Sequence, residues 1–312
     1  MLAWRVDRSA PPYRRPLFYE RIMTEQDVLR RFLFEDLGIR GEWVKLAHSW
    51  QNTKQHQHGP EHAQLQLGQA LAAVVMLSAT IKFKGSVILQ AQGDAGIRAV
   101  VAQSTHDRKI RGLLRSQEQV AIGSLEALFG EGGRLVLTIE PDNAQPYQGI
   151  VPLQGDNLSV ALETYFQQSE QLNTRLWLFA NATHAVGLLL QELPGQHKDP
   201  EDWRRIELLA STLTEHELLG LDSETLLYRL FNEEKVRLFA AEAVAFDCAC
   251  SRSRIARTLR ALGREELESI LQERSDISVI CEFCGEQYGF DRIDVETLLA
   301  QDGSVGSSET RH

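Results

Sequence analysis

Residues 61–103, EHAQLQLGQALAAVVMLSATIKFKGSVILQAQGDAGIRAVVAQ, decide the fold class of this 312-residue chain. The Ala- and Leu-rich segment 61–83 predicts one long helix. The following residues, 85–103, are two β-branched runs joined by Gly93, Asp94 and Gly96, the chemistry of a hairpin turn. The pattern returns in GGRLVLTIEPDNAQPYQGIVPLQ (132–154) with a longer loop. A further helix, LSVALETYFQQSEQL (158–172), precedes two more strands, TRLWLFA (174–180) and HAVGLLLQEL (184–193). Hairpins and helices are mixed rather than strictly alternating, so the expected class is α+β.

Length predicts two domains, or one domain with an appendage, because single cores stop growing near 250–300 residues. Hydrophobic residues make up 43% and charged residues 24% of the chain, with no apolar run approaching eighteen residues; a globular protein without a membrane span is expected. The net charge of −10 disfavours nucleic acid, which needs clustered Lys and Arg. The N-terminus carries Arg5, Arg8, Arg14, Arg15 and Arg21 but no continuous apolar segment of the secretory kind, so the chain is expected to stay in the cytoplasm. A transit peptide is one reading of that arm; a disordered arm over 1–23, or an effective start at Met23, is the plainer one.

The expected organisation is therefore an N-terminal mixed α/β core over 24–193, a helical linker over 194–247, a small domain over 248–300 and a disordered tail over 301–312. The linker is strongly acidic: residues 195–247 hold twelve acids against six bases, which is most of the chain's excess charge. Its helices are short and separately capped. Asp199 caps a helix with Pro200 at its first position, Thr214 and Glu217 form a capping box, and Asp222 or Ser223 starts ETLLYRLF. Their apolar residues, Trp203, Ile206, Leu209 and Leu213, then Leu226, Leu227, Leu230 and Phe231, are too few for an independent core. They must lean on something else.

All four cysteines of the chain lie in 248–300, in DCACS (247–251) and CEFCG (281–285). Pairs one and two residues apart can each give two sulfurs to one tetrahedral ion, which makes Cys248, Cys250, Cys281 and Cys284 candidate ligands of one zinc per chain. GEQYGF after Cys284 reads as a strand, as in a zinc knuckle. Buried cysteines or disulfides are the competing readings; stable disulfides suit a reducing cytosol poorly. Four ligands leave no open position for water, so the metal is expected to be structural or regulatory rather than catalytic. Arg252, Arg254, Arg257, Arg260 and Arg264 follow Cys250 with no acid among them, and either offset thiolate charge or form a solvated helix face.

The arrangement C-x-C-x30-C-x-x-C resembles the zinc motif of the heat-shock protein 33 family of redox-regulated chaperones. RFLFEDLGIRGEWV (31–44), LSATIKFKGSVILQAQGDAGIRAVV (77–101), YQGIVPLQGDNLSVALETYFQQSEQLNTRLWL (147–178) and FDCACSRSRIARTL (246–259) are similar to family segments in the family's order. The resemblance implies a non-enzymatic, ATP-independent holdase for unfolded or partly folded client proteins. In that reading the zinc-bound, reduced form is inactive; oxidation pairs Cys248 with Cys250 and Cys281 with Cys284, releases zinc and unfolds the linker. It also implies a homodimer in the oxidised state. Leu226, Leu230 and Phe231 are the expected client-binding residues.

Two other classes compete. A thiol-disulfide oxidoreductase would use Cys281 and Cys284, but leaves Cys248 and Cys250 unexplained and lacks the helix that usually activates the first thiol. A zinc-ribbon module for RNA or a protein partner is the other. His56, His58 and His62 in HQHGPEH are a weaker metal candidate, since a polar loop before a helix is commoner. FGEGGR (129–134) reads as a turn, and no Gly-Lys-Ser/Thr loop signals a nucleotide.

Overall fold

The computed structural model describes residues 26–81, 84–195 and 199–300, so the expected arm at 1–23 and tail at 301–312 lie outside the described residues. By contacts the chain divides into two compact units, with the boundary between Asp247 and Cys248. The first unit begins with β1 (Val28–Phe34), β2 (Ile39–Leu46), α1 (His48–Lys54) and α2 (Glu61–Thr80), then β3 (Gly85–Gln92), β4 (Ile97–Thr105) and β5 (Lys109–Ser116). It continues through α3 (Leu125–Phe129), β6 (Arg134–Pro141), β7 (Tyr147–Pro152), α4 (Leu158–Tyr165), a π-turn at Phe166–Glu170, β8 (Thr174–Ala180) and β9 (Ala185–Glu192). The acidic block follows with α5 (Pro200–Ala210), α6 (Glu215–Gly220), α7 (Ser223–Phe231), β10 (Val236–Leu238), β11 (Glu242–Ala243) and β12 (Ala245–Phe246). The class is α+β, as the sequence indicates.

Two six-stranded sheets enclose α2. One has the order β10-β1-β2-β9-β8, with β11 also on β1; the other is β12-β5-β4-β3-β6-β7. The helix is apolar nearly all round because it touches both sheets, and Leu67, Leu71, Val74, Val75 and Met76 are fully buried. It is long and apolar enough to cross a membrane by composition, yet two thirds of its apolar window is buried inside the protein. Small residues allow the close approach: a Cβ on Gly187 of β9 would lie 2.5 Å from Met76 Cε, and one on Gly68 would lie 2.8 Å from Ala180 Cβ.

The first sheet is apolar on both faces. Along β9, Ala185 and Leu189 face α2, whereas Val186, Leu188 and Leu190 face the other way. That second face, with Phe32, Phe34, Ile39 and Trp43, is covered by α5, α6 and α7 through Trp203, Ile206, Leu218, Leu226, Leu227, Leu230 and Phe231. Here is what the short helices lean on. Asp199 accepts from Glu201 N, Thr214 and Glu217 close the capping box, and Asp222 accepts from Thr225 N, so each helix starts where its cap residue predicts. The block also adds β10 and β11 to the first sheet and β12, parallel to β5, to the second. Those strands are two or three residues long and carry no sequence periodicity.

A part-buried ion network ties this stretch down. Arg108 is 8% exposed, and its guanidinium donates from Nε to Glu242 Oε2 (3.1 Å) and from Nη1 to Ser78 Oγ (3.1 Å). Arg31 Nε pairs with Glu242 Oε1 at 2.6 Å. Beside it, Glu42 faces the α2 side of β2 at 2% exposure, and its Oε2 has no hydrogen-bond partner among the described residues. Burial raises its carboxyl from 4.5 to about 7, against the downward pull of Arg40, Arg31 and Arg108. A carboxyl raised by folding binds its proton more tightly in the folded state. Its contribution is thus fully present below about pH 4.5 and lost as pH rises toward 7. Relative to the parent, Glu42→Gln is expected to gain on the order of 3 kcal/mol in unfolding free energy between pH 4.5 and 8. Urea unfolding at both pH values checks this; equal differences at both would contradict it.

The second unit holds α8 (Arg252–Leu262), α9 (Arg264–Glu273), the hairpin β13 (Asp276–Ile280) and β14 (Gln287–Asp291), and α10 (Arg292–Ala300). Its core is small: Ala256, Leu259, Leu267, Leu271, Ile277, Phe290 and Val295.

Candidate metal centre

The hairpin register, Ile277 opposite Phe290 and Ile280 opposite Gln287, puts CEFCG at the tip. Cys281 N donates to Glu286 O and Gly285 N donates to Cys281 O, each at 2.8 Å, which curls the segment so that both sulfurs face one point. Gly285 sits at φ 72, where a side chain would be strained. Cys248 and Cys250 come from the extended segment before α8, whose cap Ser251 accepts from Arg254 N at 3.3 Å. The four sulfurs lie within 4.8 Å of one another. Across the pairs, Cys248 Sγ is 3.6 Å from Cys281 Sγ and Cys250 Sγ is 3.4 Å from Cys284 Sγ. Zn–S bonds of about 2.3 Å in a tetrahedron put sulfurs about 3.8 Å apart, so the donor set fits such an ion.

Burial pushes the Cys248 and Cys284 thiols above the ordinary range. Cys250 goes the other way: burial raises it, but hydrogen bonds from the Tyr288 hydroxyl and the neighbouring thiols outweigh burial and lower it. Tyr288 Oη lies 3.2 Å from Cys250 Sγ. In the sequence Tyr288 is only part of a strand pattern; its reach to Cys250 depends on the hairpin register, which pairs it with Val279.

Of the arginines after Cys250, three have partners other than the sulfurs. Arg252 donates to Asp294 Oδ2 (2.6 Å) and stacks over Phe290 (4.3 Å). Arg254 donates to Ala249 O (2.8 Å), and Arg264 to Glu268 (2.9 Å). They brace the backbone around the cysteines and the helix face. His62 Nε2 contacts Val120 O at 3.1 Å and His56 contacts Gln55 at 3.0 Å; among the described residues, the cysteines are the group of three or more metal-type ligands that converges. Leu226, Leu230 and Phe231 are at most 8% exposed, with Phe231 edge-on to Phe34 at 4.9 Å.

In fold the chain matches a solved chaperonin, the 33 kDa chaperonin (heat shock protein 33 homolog) of Thermotoga maritima. The TM-score is 0.75 at 22% identity, over 89% of this chain and 99% of that one. Relatives named 33 kDa chaperonin are 56% identical over 290 residues in Nitrosococcus oceani and 45% identical over 298 in Pseudomonas aeruginosa. Each comparison spans 93% of this chain and all of the relative. The family model for the Hsp33 protein matches residues 27–291, and the chain belongs to the Hsp33 family.

Proposed function

We propose that this protein is a redox-regulated, ATP-independent holdase that captures unfolding proteins during oxidative stress in the cytoplasm, without catalysing a reaction. The observation that carries the reading is the convergence of all four cysteines within 4.8 Å in a unit with few buried apolar side chains. Cys248, Cys250, Cys281 and Cys284 would hold one zinc ion, which supplies a tetrahedral cross-link and keeps the sulfurs as thiolates. Such a link contributes about 10–16 kcal/mol, as much as the stability of a whole domain, so a module of about fifty residues depends on it.

When an oxidant pairs Cys248 with Cys250 and Cys281 with Cys284, the sulfurs lose the charge that holds the ion, and the two segments are no longer joined. The client surface in this reading is the face of the first sheet around Phe32, Phe34 and Trp43 together with the helix residues Leu226, Leu230 and Phe231. In the structure these pack against each other in one buried cluster. Detaching α5 to α7 would expose both sides, an apolar area of the kind that binds other unfolded chains. The oxidised form is proposed to be a homodimer; nucleotide and nucleic acid have no role.

The test follows one sample through peroxide treatment. Reduced protein is expected to carry one zinc and four free thiols and to leave a client's aggregation unchanged. Oxidised protein should have released zinc, lost its thiols and suppressed aggregation. Suppression with four free thiols and bound zinc would overturn the reading.

A further inference from the structure

Tyr288 is half-buried on β14, where its ring packs against the small core of the second unit while its hydroxyl reaches out to Cys250 Sγ at 3.2 Å. The residue is anchored on both sides: it pairs with Val279 across the hairpin, and Phe290, two positions on, is 2% exposed in the core. Its donor therefore points from the segment carrying Cys281 and Cys284 toward the segment carrying Cys248 and Cys250. A hydrogen bond to a thiolate withdraws charge from the sulfur lone pair. It leaves the sulfur a competent metal ligand but a poorer nucleophile.

We propose that Tyr288 is a positioning residue for Cys250: its hydroxyl fixes the sulfur in the cluster and slows its attack on hydroperoxides, and so sets how much oxidant the switch tolerates. The inference rests on the redox reading above. In the step it restrains, the Cys250 thiolate attacks one peroxide oxygen, an S–O bond forms, the O–O bond breaks and hydroxide leaves. The Cys248 thiolate then attacks the sulfenic sulfur, forming the S–S bond and releasing a second hydroxide. Two thiolates give up two electrons, and the peroxide takes them.

Tyr288→Phe removes the hydroxyl and keeps the ring in the core. Parent and variant are compared as reduced, zinc-loaded, full-length protein exposed to hydrogen peroxide, reading zinc release with a chromogenic chelator and oxidation at each cysteine by mass spectrometry. The expected result is about tenfold faster zinc release with the acceleration concentrated at Cys250. Equal rates overturn the proposal. So does equal acceleration at all four cysteines, which marks a loosened fold. If the variant fails to load zinc, the pH dependence of iodoacetamide alkylation of both metal-free reduced proteins decides it: a higher plateau rate, where each thiol is fully thiolate, selective for Cys250 supports the proposal, and an equal or uniformly raised plateau overturns it. Parent protein that never suppresses aggregation after peroxide sinks the holdase reading, whereas Cys250 selectivity in the same samples still reports on Tyr288.

Discussion

Stripping the metal from the reduced, zinc-loaded protein with a strong chelator is expected to unfold residues 252–300 while the two sheets stay folded. Among its described residues the second unit has seven buried core side chains and several exposed apolar ones, including Ile280 at 61% and Ile293 at 73%. Its remaining ties are surface ion pairs such as Arg252–Asp294 and Arg264–Glu268, and exposed pairs contribute about 0–1 kcal/mol each. Against a lost cross-link of about 10–16 kcal/mol, those ties cannot hold the fold. Amide protection on α8, α9 and β13 should fall by about a thousandfold or more, while protection on α2 and β9 is unchanged. Cys248→Ser with Cys281→Ser should give the same pattern without a chelator. A metal-free second unit with full protection would mean that its apolar core suffices.

The second large effect is expected at Phe231, which is fully buried and meets Phe34 edge-on. Phe231→Ala removes that contact and leaves a cavity under α7, at a cost of about 3–5 kcal/mol. The helices α5 to α7 have only short lengths and caps of their own, so the loss falls on their docking to the sheet. Reduced, zinc-loaded Phe231→Ala should therefore suppress client aggregation without any oxidant, because the sheet face opens. At saturating oxidant it should hold clients less tightly than the parent, because an apolar contact is missing. Leu208→Ser, at a position 70% exposed on α5, is the control and should change neither. A reduced Phe231→Ala that is destabilised in urea yet inactive would place the client surface elsewhere.

Much of this architecture is legible in the residues. Gly93, Asp94 and Gly96 mark the β3–β4 turn, and Asp199, Thr214 and Asp222 mark three helix starts, because caps and turns are local chemistry. The destination of those helices was also written in HAVGLLLQEL, whose unbroken apolar run means that both faces of β9 are covered. The strands β10, β11 and β12 left no such trace. Their positions are set by partners far away in sequence, as when Val244 N donates to Asp27 O at 2.7 Å and Asp247 N to Ile110 O at 2.9 Å. Glu42 is equally silent, since nothing in RGEWV says that a carboxylate will be buried among three arginines.

The cysteine cluster is legible from spacing alone, and its neighbours are not. Sequence proximity leaves open whether Arg252 and Arg254 offset thiolate charge or lie on a solvated helix face; in the fold they reach Asp294 and Ala249 O. The nearby donor is Tyr288, thirty-eight positions from Cys250, because the hairpin fold folds that distance away.

In the proposed switch, oxidation at four cysteines becomes exposure of apolar surface in the block that precedes them. Hydrogen exchange on fully oxidised, aggregation-suppressing protein tests it most directly. The expected result is that 199–247 loses protection together with 252–300, while α2 and the inner strands β2, β9, β3 and β4 keep theirs. If α5 to α7 remain as protected as β9 in that active sample, the block is not the switch, and clients must be held by another surface.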